Sequence, residues 1–270
     1  MDPPQQDLVR RTVRRHPDGG SEEDLLVREE PLEMRIEGRP LAVTLRTPGH
    51  DLDLVAGFLY TEGVIDGPDD LTALAHVDDP RDPRGNTVDC VLAAGVLAHR
   101  DRIDKATREL YATSSCGVCG KASIDKLAVT CGPLPERRID VDALADVLVT
   151  LPGRLRDAQQ AFDRTGGLHA AGLFSFSGEL EVAREDIGRH NAVDKVLGHR
   201  LRADRAPVDD RILVVSSRAG FEIVQKAVMA RVPVVASVGA ASSLAVDLAR
   251  EMGVVLVGFL RDGRFNVYAE

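Results

Sequence analysis

The stretch that most limits what this chain can fold into is Arg211 to Tyr268. Ile212-Leu213-Val214-Val215 is an unbroken apolar run, the pattern of a strand covered on both faces. Phe221 to Ala230 has helical spacing, Val232 to Val235 is a second apolar strand, Ser242 to Met252 a second helix stopped by Gly253, and Val254 to Val257 a third strand. Strand, helix, strand, helix, strand predicts a right-handed parallel α/β unit. Asp262-Gly263 then signals a tight turn into Phe265-Asn266-Val267-Tyr268.

Upstream the texture changes at Pro133-Leu134-Pro135. Before it, Leu32 to Glu37 alternates apolar and polar, Gly38-Arg39-Pro40 turns, and Leu41 to Leu45 returns, so a hairpin is expected. Asp51 reads as the cap of a helix over Leu52 to Thr61 whose apolar face (Leu52, Val55, Phe58, Leu59) covers that hairpin. The charged Asp78 to Asn86 reads as a loop before a strand Thr87 to Leu92. After Pro135, Asp140 to Thr150 and Leu155 to Arg164 each carry helical spacing. The expected organisation is a mobile tail over 1–24, a smaller β-rich N-terminal part over 25–137 and an α/β part over 138–270, α+β overall.

The 34 basic residues stand against 43 acidic ones, a net charge of -9. That balance argues against non-specific nucleic-acid or membrane binding and leaves room for a local basic pocket. No apolar run approaches the ~18 residues of a spanning helix. The arginine-bearing N-terminus lacks the apolar core of a signal peptide, so a cytoplasmic setting is expected. Four cysteines do not make a disulfide scaffold, and in a reducing compartment a close pair points to metal or redox chemistry.

That pair lies in Ser114-Ser115-Cys116-Gly117-Val118-Cys119-Gly120-Lys121. A glycine follows each thiol, so the loop can reshape while a sulfur is attacked or loaded. Lys121 is a candidate cation for lowering a cysteine pKa, and the run after it opens as a helix or leads into a strand at Leu127 to Thr130. Four readings stand side by side. A structural zinc site needs four ligands, with Cys90 and Cys131 as the remaining two, although both look like buried strand residues. A thioredoxin-like site would place the pair early, after a strand and opening a helix. Inert buried thiols fit poorly with the glycines. The last reading is covalent sulfur handling, in which one cysteine carries a persulfide and its neighbour assists.

A second candidate site lies at the strand ends of the α/β unit, where ligands bind in open parallel sheets. The loops Ser216 to Gly220, Gly239 to Ser243 and Phe259 to Arg264 bring glycines, hydroxyls and Arg218, Arg261 and Arg264 to one edge. That composition suits phosphate oxygens, and equally describes ordinary polar turns. In the α/β part, Arg184 to Val196 places His190 with Asp194, and Asn191 with Lys195, at i,i+4 spacing. It reads as a solvated helix start with ion pairs or as a pocket wall with His190 as a proton carrier. His169, among Ala and Leu, is more often a satisfied core residue than a ligand.

The CxxC stretch resembles that of the FdhD/NarQ family, the formate dehydrogenase accessory sulfurtransferases. The resemblance continues in Thr47-Pro48 through Gly57-Phe58-Leu59, Glu62-Gly63, Thr165 to Ala171, Arg184 to Lys195, Gly258-Phe259 and Asn266-Val267-Tyr268. It implies a cytidine deaminase-like three-layer fold for the C-terminal part. It implies that Cys116 accepts persulfide sulfur from a cysteine desulfurase with Cys119 as partner. It implies transfer of that sulfur to the Mo-bis-molybdopterin guanine dinucleotide cofactor, a bound substrate rather than a resident group, before insertion into the formate dehydrogenase catalytic subunit. Phe259, Leu260, Arg261, Asp262, Gly263 and Arg264 would contact the guanine dinucleotide, so a guanine nucleotide could occupy the site, and the protein would be a homodimer without a metal of its own. The chain departs from the usual family pattern at Ser217, Ala219 and Gly239-Ala240. A zinc deaminase needs H-x-E and P-C-x-x-C; here Ala170-Ala171 follow His169 and Ser115 precedes Cys116, which argues against deamination. The competing reading is a chaperone that holds the molybdenum cofactor without covalent sulfur chemistry.

Overall fold

The computed structural model describes residues 8–17, 19–80, 82–97, 132–135 and 139–270. The paired thiols Cys116 and Cys119, Lys121, Cys131 and the strand expected over Leu127 to Cys131 lie outside the described residues.

The chain opens with a hairpin, β1 (Leu8–Arg14) against β2 (Ser21–Val27). Pairing from Leu8 onward corrects the expectation of an unstructured tail to Asp24. Two of the arginines here face acids on the other side of the hairpin: Arg15 pairs with Glu22 and Asp24, and Arg10 with Glu23. A four-stranded sheet follows, in the order β4 (Arg39–Arg46), β3 (Glu30–Ile36), β6 (Thr87–Leu92), β5 (Leu71–His76). The expected hairpin is β3–β4, and Leu32, Met34 and Ile36 alternate inward as their spacing requires. Helix α1 (Asp51–Thr61) packs on this sheet. Asp51 does not cap it. Its carboxylate is held by both ends of the buried Arg46 guanidinium (3.0 and 2.8 Å), and the capping position is His50 in the left-handed region.

After the short α2 (Ala94–Leu97) come α3 (Val141–Leu148), α4 (Leu151–Asp157) and α5 (Gln160–Thr165). The continuous helix expected over Leu155 to Arg164 is broken between α4 and α5. Glu185 reaches in from β8 (Leu180–Asp186) and accepts from the first free N–H groups of α5, those of Ala161 and Phe162 (3.0 and 2.8 Å). A carboxylate on those orphan donors starts a new helix where the spacing suggested a continuous one.

The six-stranded sheet has the order β12 (Arg264–Ala269), β11 (Val255–Arg261), β10 (Val234–Ser237), β9 (Ile212–Val215), β7 (His169–Phe174), β8. Its centre, β9, β10 and β11, is parallel as predicted, and β7, β8 and β12 run antiparallel to their neighbours. Strand β10 starts at Val234 rather than Val232, because Pro233 has no N–H for the ladder. Side chains alternate between two cores. Ile212, Val214, Val234, Ala236, Val255 and Val257 meet α3 and α4 on one face. Leu213, Val215, Val235 and Leu256 meet α6 (Arg189–Arg202), α7 (Phe221–Met229) and α8 (Ser243–Met252) on the other.

That second core is continuous with the core under the four-stranded sheet. The join is α1 against α6, two helices in backbone contact through Gly57 and Gly198. A Cβ on Gly198 would sit 1.9 Å from the Asp53 carbonyl oxygen, and one on Gly57 would sit 1.9 Å from that of Asp194. Beside this contact lies a dry polar junction. Lys195, 1% exposed, meets the fully buried Asp186 at 2.7 Å and donates to the Thr47 carbonyl (2.9 Å). Asp186 also accepts from the N–H groups of Thr47 and Gly188 and from the Asn191 amide. The motif Arg184 to Lys195 is therefore neither a solvated helix start nor, along most of its length, a pocket wall. It locks the Thr47-Pro48 corner onto α6.

Candidate functional site

The parallel strands end in three loops that are hydrogen-bonded to one another. The Ala219 N–H donates to the Ala240 carbonyl (3.0 Å), the Ser242 N–H to that of Ala219 (3.0 Å), and the Gly239 N–H to that of Ser217 (3.1 Å). The Phe259 N–H donates to the Gly239 carbonyl (2.8 Å), which also accepts from the Ser237 hydroxyl. The three loops form one fixed floor, so a ligand there meets a surface already organised before binding. Gly239 is required at its centre: a Cβ would come within 3.0 Å of the Arg218 backbone.

Above this floor is a cavity of about 390 Å³ lined by His169, Arg189, Ser216, Ser217, Arg218, Val238, Gly239 and Arg261. They come from five places in the chain: the start of β7, the start of α6, the loops after β9 and β10, and the end of β11. Ser216 and Ser217 follow β9, and the Ser216 hydroxyl accepts from the Ala170 N–H (2.9 Å), which ties the β7 end carrying His169 to the same edge. Arg189 opens α6, whose N-cap Gly188 has no side chain for the first-turn N–H groups. Arg261 ends β11 after a bulge between Gly258 and Arg261. Phe259 sits in that bulge at φ 52°, a left-handed backbone that costs a non-glycine residue on the order of 1 kcal/mol. Bulges re-aim side chains, and here the Arg261 guanidinium lies 5.5 Å from the Phe259 ring centre.

Among the described residues, Arg189, Arg218 and Arg261 have no carboxylate within salt-bridge distance. Three guanidiniums on one cavity, none in a salt bridge among the described residues, make a locally basic pocket in a chain of net charge -9. His169 is the cavity group that can exchange a proton near neutral pH. Burial, then the charges of Arg189 and His190, pull it below the ordinary imidazole range, with Asp186 pulling weakly the other way. His190 itself turns to Glu222 at the start of α7 (3.3 Å), and that contact leads the causes holding Glu222 down to about 2.

Of the six strand-end residues named from sequence, Arg261 lines the cavity and Leu260 is fully buried in the core behind it. Asp262 and Gly263 form the turn, and Arg264 opens β12 opposite Arg261, exposed. Lys195 does not extend the basic pocket, being spent on Asp186. Arg189 takes a place at the cavity that the sequence reading had assigned to no arginine of this motif. Its signal was Gly188-Arg189 directly before an apolar helical stripe, which marks a helix start. Cys90 is fully buried, donates its thiol hydrogen to the Arg35 carbonyl and is pushed by burial up to about 12, the setting of a small buried hydrophobe. Among the described residues no cluster of His, Cys, Asp and Glu suits a metal, and no helix is long and apolar enough to cross a membrane.

Residues 27–270 match the profile of the FdhD/NarQ family. The chain belongs to that family. It is 50% identical over 265 residues to the sulfur carrier protein FdhD of Streptomyces avermitilis, covering 96% of this chain and 93% of the relative. It is 51% identical over 271 residues to that of Streptomyces coelicolor, with the same coverage. A crystal structure from Desulfotalea psychrophila, described as a formate dehydrogenase accessory protein, superposes with a TM-score of 0.72 at 23% identity, covering 97% of this chain and 96% of that one. That likeness shows that the mixed α/β fold is shared. Family membership accounts for the long motifs: Arg184 to Lys195 builds the junction under the cavity, and Thr165 to Ala171 delivers His169 to its rim.

Proposed function

We propose that this protein is a sulfur carrier in formate dehydrogenase maturation, working through a cysteine persulfide. The observation that carries this reading is the basic strand-end cavity in a family member whose relatives are named as sulfur carriers. In the first step the Cys116 thiolate attacks the outer sulfur of a desulfurase persulfide. One S–S bond breaks and one forms, the desulfurase leaves as a thiolate, and Cys116 holds the persulfide with no net redox change. Cys119 assists. The substrate that receives the sulfur is the Mo-bis-molybdopterin guanine dinucleotide cofactor, and its phosphates would meet Arg189, Arg218 and Arg261, with the segment Phe259 to Arg264 next to the nucleotide. The partners in this reading are a cysteine desulfurase, the formate dehydrogenase catalytic subunit and a second copy of the chain, in the cytoplasm.

The test separates carrier from non-covalent chaperone. Hydrogen bonds to charged groups each contribute ~1.5–3 kcal/mol, so Arg218→Ala and Arg261→Ala should each weaken guanine nucleotide binding roughly tenfold or more. The double variant Cys116→Ser, Cys119→Ser should bind nucleotide normally and fail to support formate dehydrogenase activity. Full activity from that double variant would replace the carrier reading with the chaperone one.

A further inference from the structure

Among the described residues the cavity wall carries three guanidiniums, Arg189, Arg218 and Arg261, two hydroxyls, Ser216 and Ser217, and one side chain of the type that gains a proton near neutral pH, His169. Its ring makes no hydrogen bond among the described residues. The groups that bear on it are Arg189 and His190 from α6 and Asp186 from the end of β8, and it shares the cavity wall with Arg218 and Arg261. Glu222 of α7 acts one step removed, through His190. Among the described residues, burial and the charges of Arg189 and His190 outweigh Asp186, so the half-buried ring favours its neutral form. A polyanion placed among the guanidiniums reverses that balance, because the nearest large charge is then negative.

We propose that the anion enters this cavity together with a proton, and that His169 is the group that takes it. The inference rests on the reading of the cavity as a phosphate-type anion site and adds a residue and a linkage to it. The step is a protonation of an imidazole nitrogen: a proton from solvent forms the new N–H bond, and the ring then donates a charge-assisted hydrogen bond to the bound anion. Nothing is oxidised or reduced. The ligand class this favours is a diphosphate diester, whose charge is fixed around neutral pH and whose two phosphates can engage the arginines and the histidine at once. Binding coupled to proton uptake weakens as pH rises, with a limit of about tenfold per pH unit for one proton.

The experiment is titration calorimetry of the full chain with GDP-mannose, a diphosphate diester without a phosphate that titrates near neutrality, in buffers of differing ionisation heat. The expected result is net proton uptake, affinity that falls from about pH 6 to pH 8, and, in His169→Gln, weaker binding that no longer takes up a proton or depends on pH in that range. Proton-detected titration of the His169 ring in the unmodified protein, with and without GDP-mannose, gives the same information without a variant; its midpoint should rise on binding. Binding with no proton uptake overturns the proposal and leaves the anion reading standing. Uptake that persists in His169→Gln, or a ring midpoint that does not move, also overturns it. Absence of any binding overturns the anion reading and the proposal with it.

Discussion

Replacing Gly198 by alanine sets two physical effects against each other with opposite signs. In a helix interior, alanine is favoured over glycine by ~1 kcal/mol, so helix propensity predicts that Gly198→Ala stabilises the protein. The packing predicts the reverse. A Cβ at this position would lie 1.9 Å from the Asp53 carbonyl oxygen, 2.5 Å from the Gly57 nitrogen and 2.9 Å from the Asp53 carbonyl carbon. All three are backbone atoms of α1, so no side chain can rotate away. To restore an ordinary contact of ~3.5 Å the helices must separate by more than about 1 Å, across the layer that joins the two sheets. Overpacking a core costs ~1–3 kcal/mol when side chains can adjust, and more when backbone must move. We therefore expect Gly198→Ala to destabilise by about 3 kcal/mol or more after the propensity gain. Urea unfolding followed by circular dichroism measures it, and Gly57→Ala should behave alike. An unchanged or raised midpoint in both variants would refute the glycine contact between α1 and α6.

Two further outcomes follow from buried and half-buried charge. Lys195→Met removes the cation from the fully buried Asp186 and should cost ~3–5 kcal/mol in the same assay, whereas a loss under about 1 kcal/mol would mean that the pair is not dry. Glu222 has its folded-state pKa depressed to about 2 by His190, so its contribution to stability is present above the ordinary glutamate range near pH 4 and fades as pH falls toward 2. Acid unfolding of Glu222→Gln should therefore differ from that of the unmodified protein near neutrality and converge with it at low pH; identical curves throughout would contradict the ion pair.

Much of the architecture was legible because the central strands are short, mostly apolar runs alternating with helices, and both faces of that sheet are covered. The hairpin β3–β4 was legible through alternation, since only one of its faces is buried. What periodicity could not reveal were contacts made across long sequence separations. Glu185 breaks a helix from 24 residues away, and the N-terminal arginines lie in a hairpin whose second strand begins at Ser21. By helix propensity alone Gly57 and Gly198 would be weak points in two helices, whereas in the structure each is the place where the other helix enters. The strand-end edge was foreseen as a place for arginines, but its membership was not. Arg264 falls on the strand after the turn, and Arg189 arrives from a helix whose start lies beside β7 only in three dimensions. Lys195 carried the right residue type for an anion pocket and was spent on a structural pair instead.

The claim at the centre of this account is that sulfur travels on the paired thiols. The most direct measurement incubates the reduced protein with a cysteine desulfurase and free cysteine, traps thiols by alkylation and reads the Cys116–Cys119 peptide by mass spectrometry. The account predicts one added sulfur atom on Cys116, lost again when the molybdenum cofactor is supplied. A peptide that stays unmodified beside a competent desulfurase, in a protein that still binds the cofactor, would contradict it.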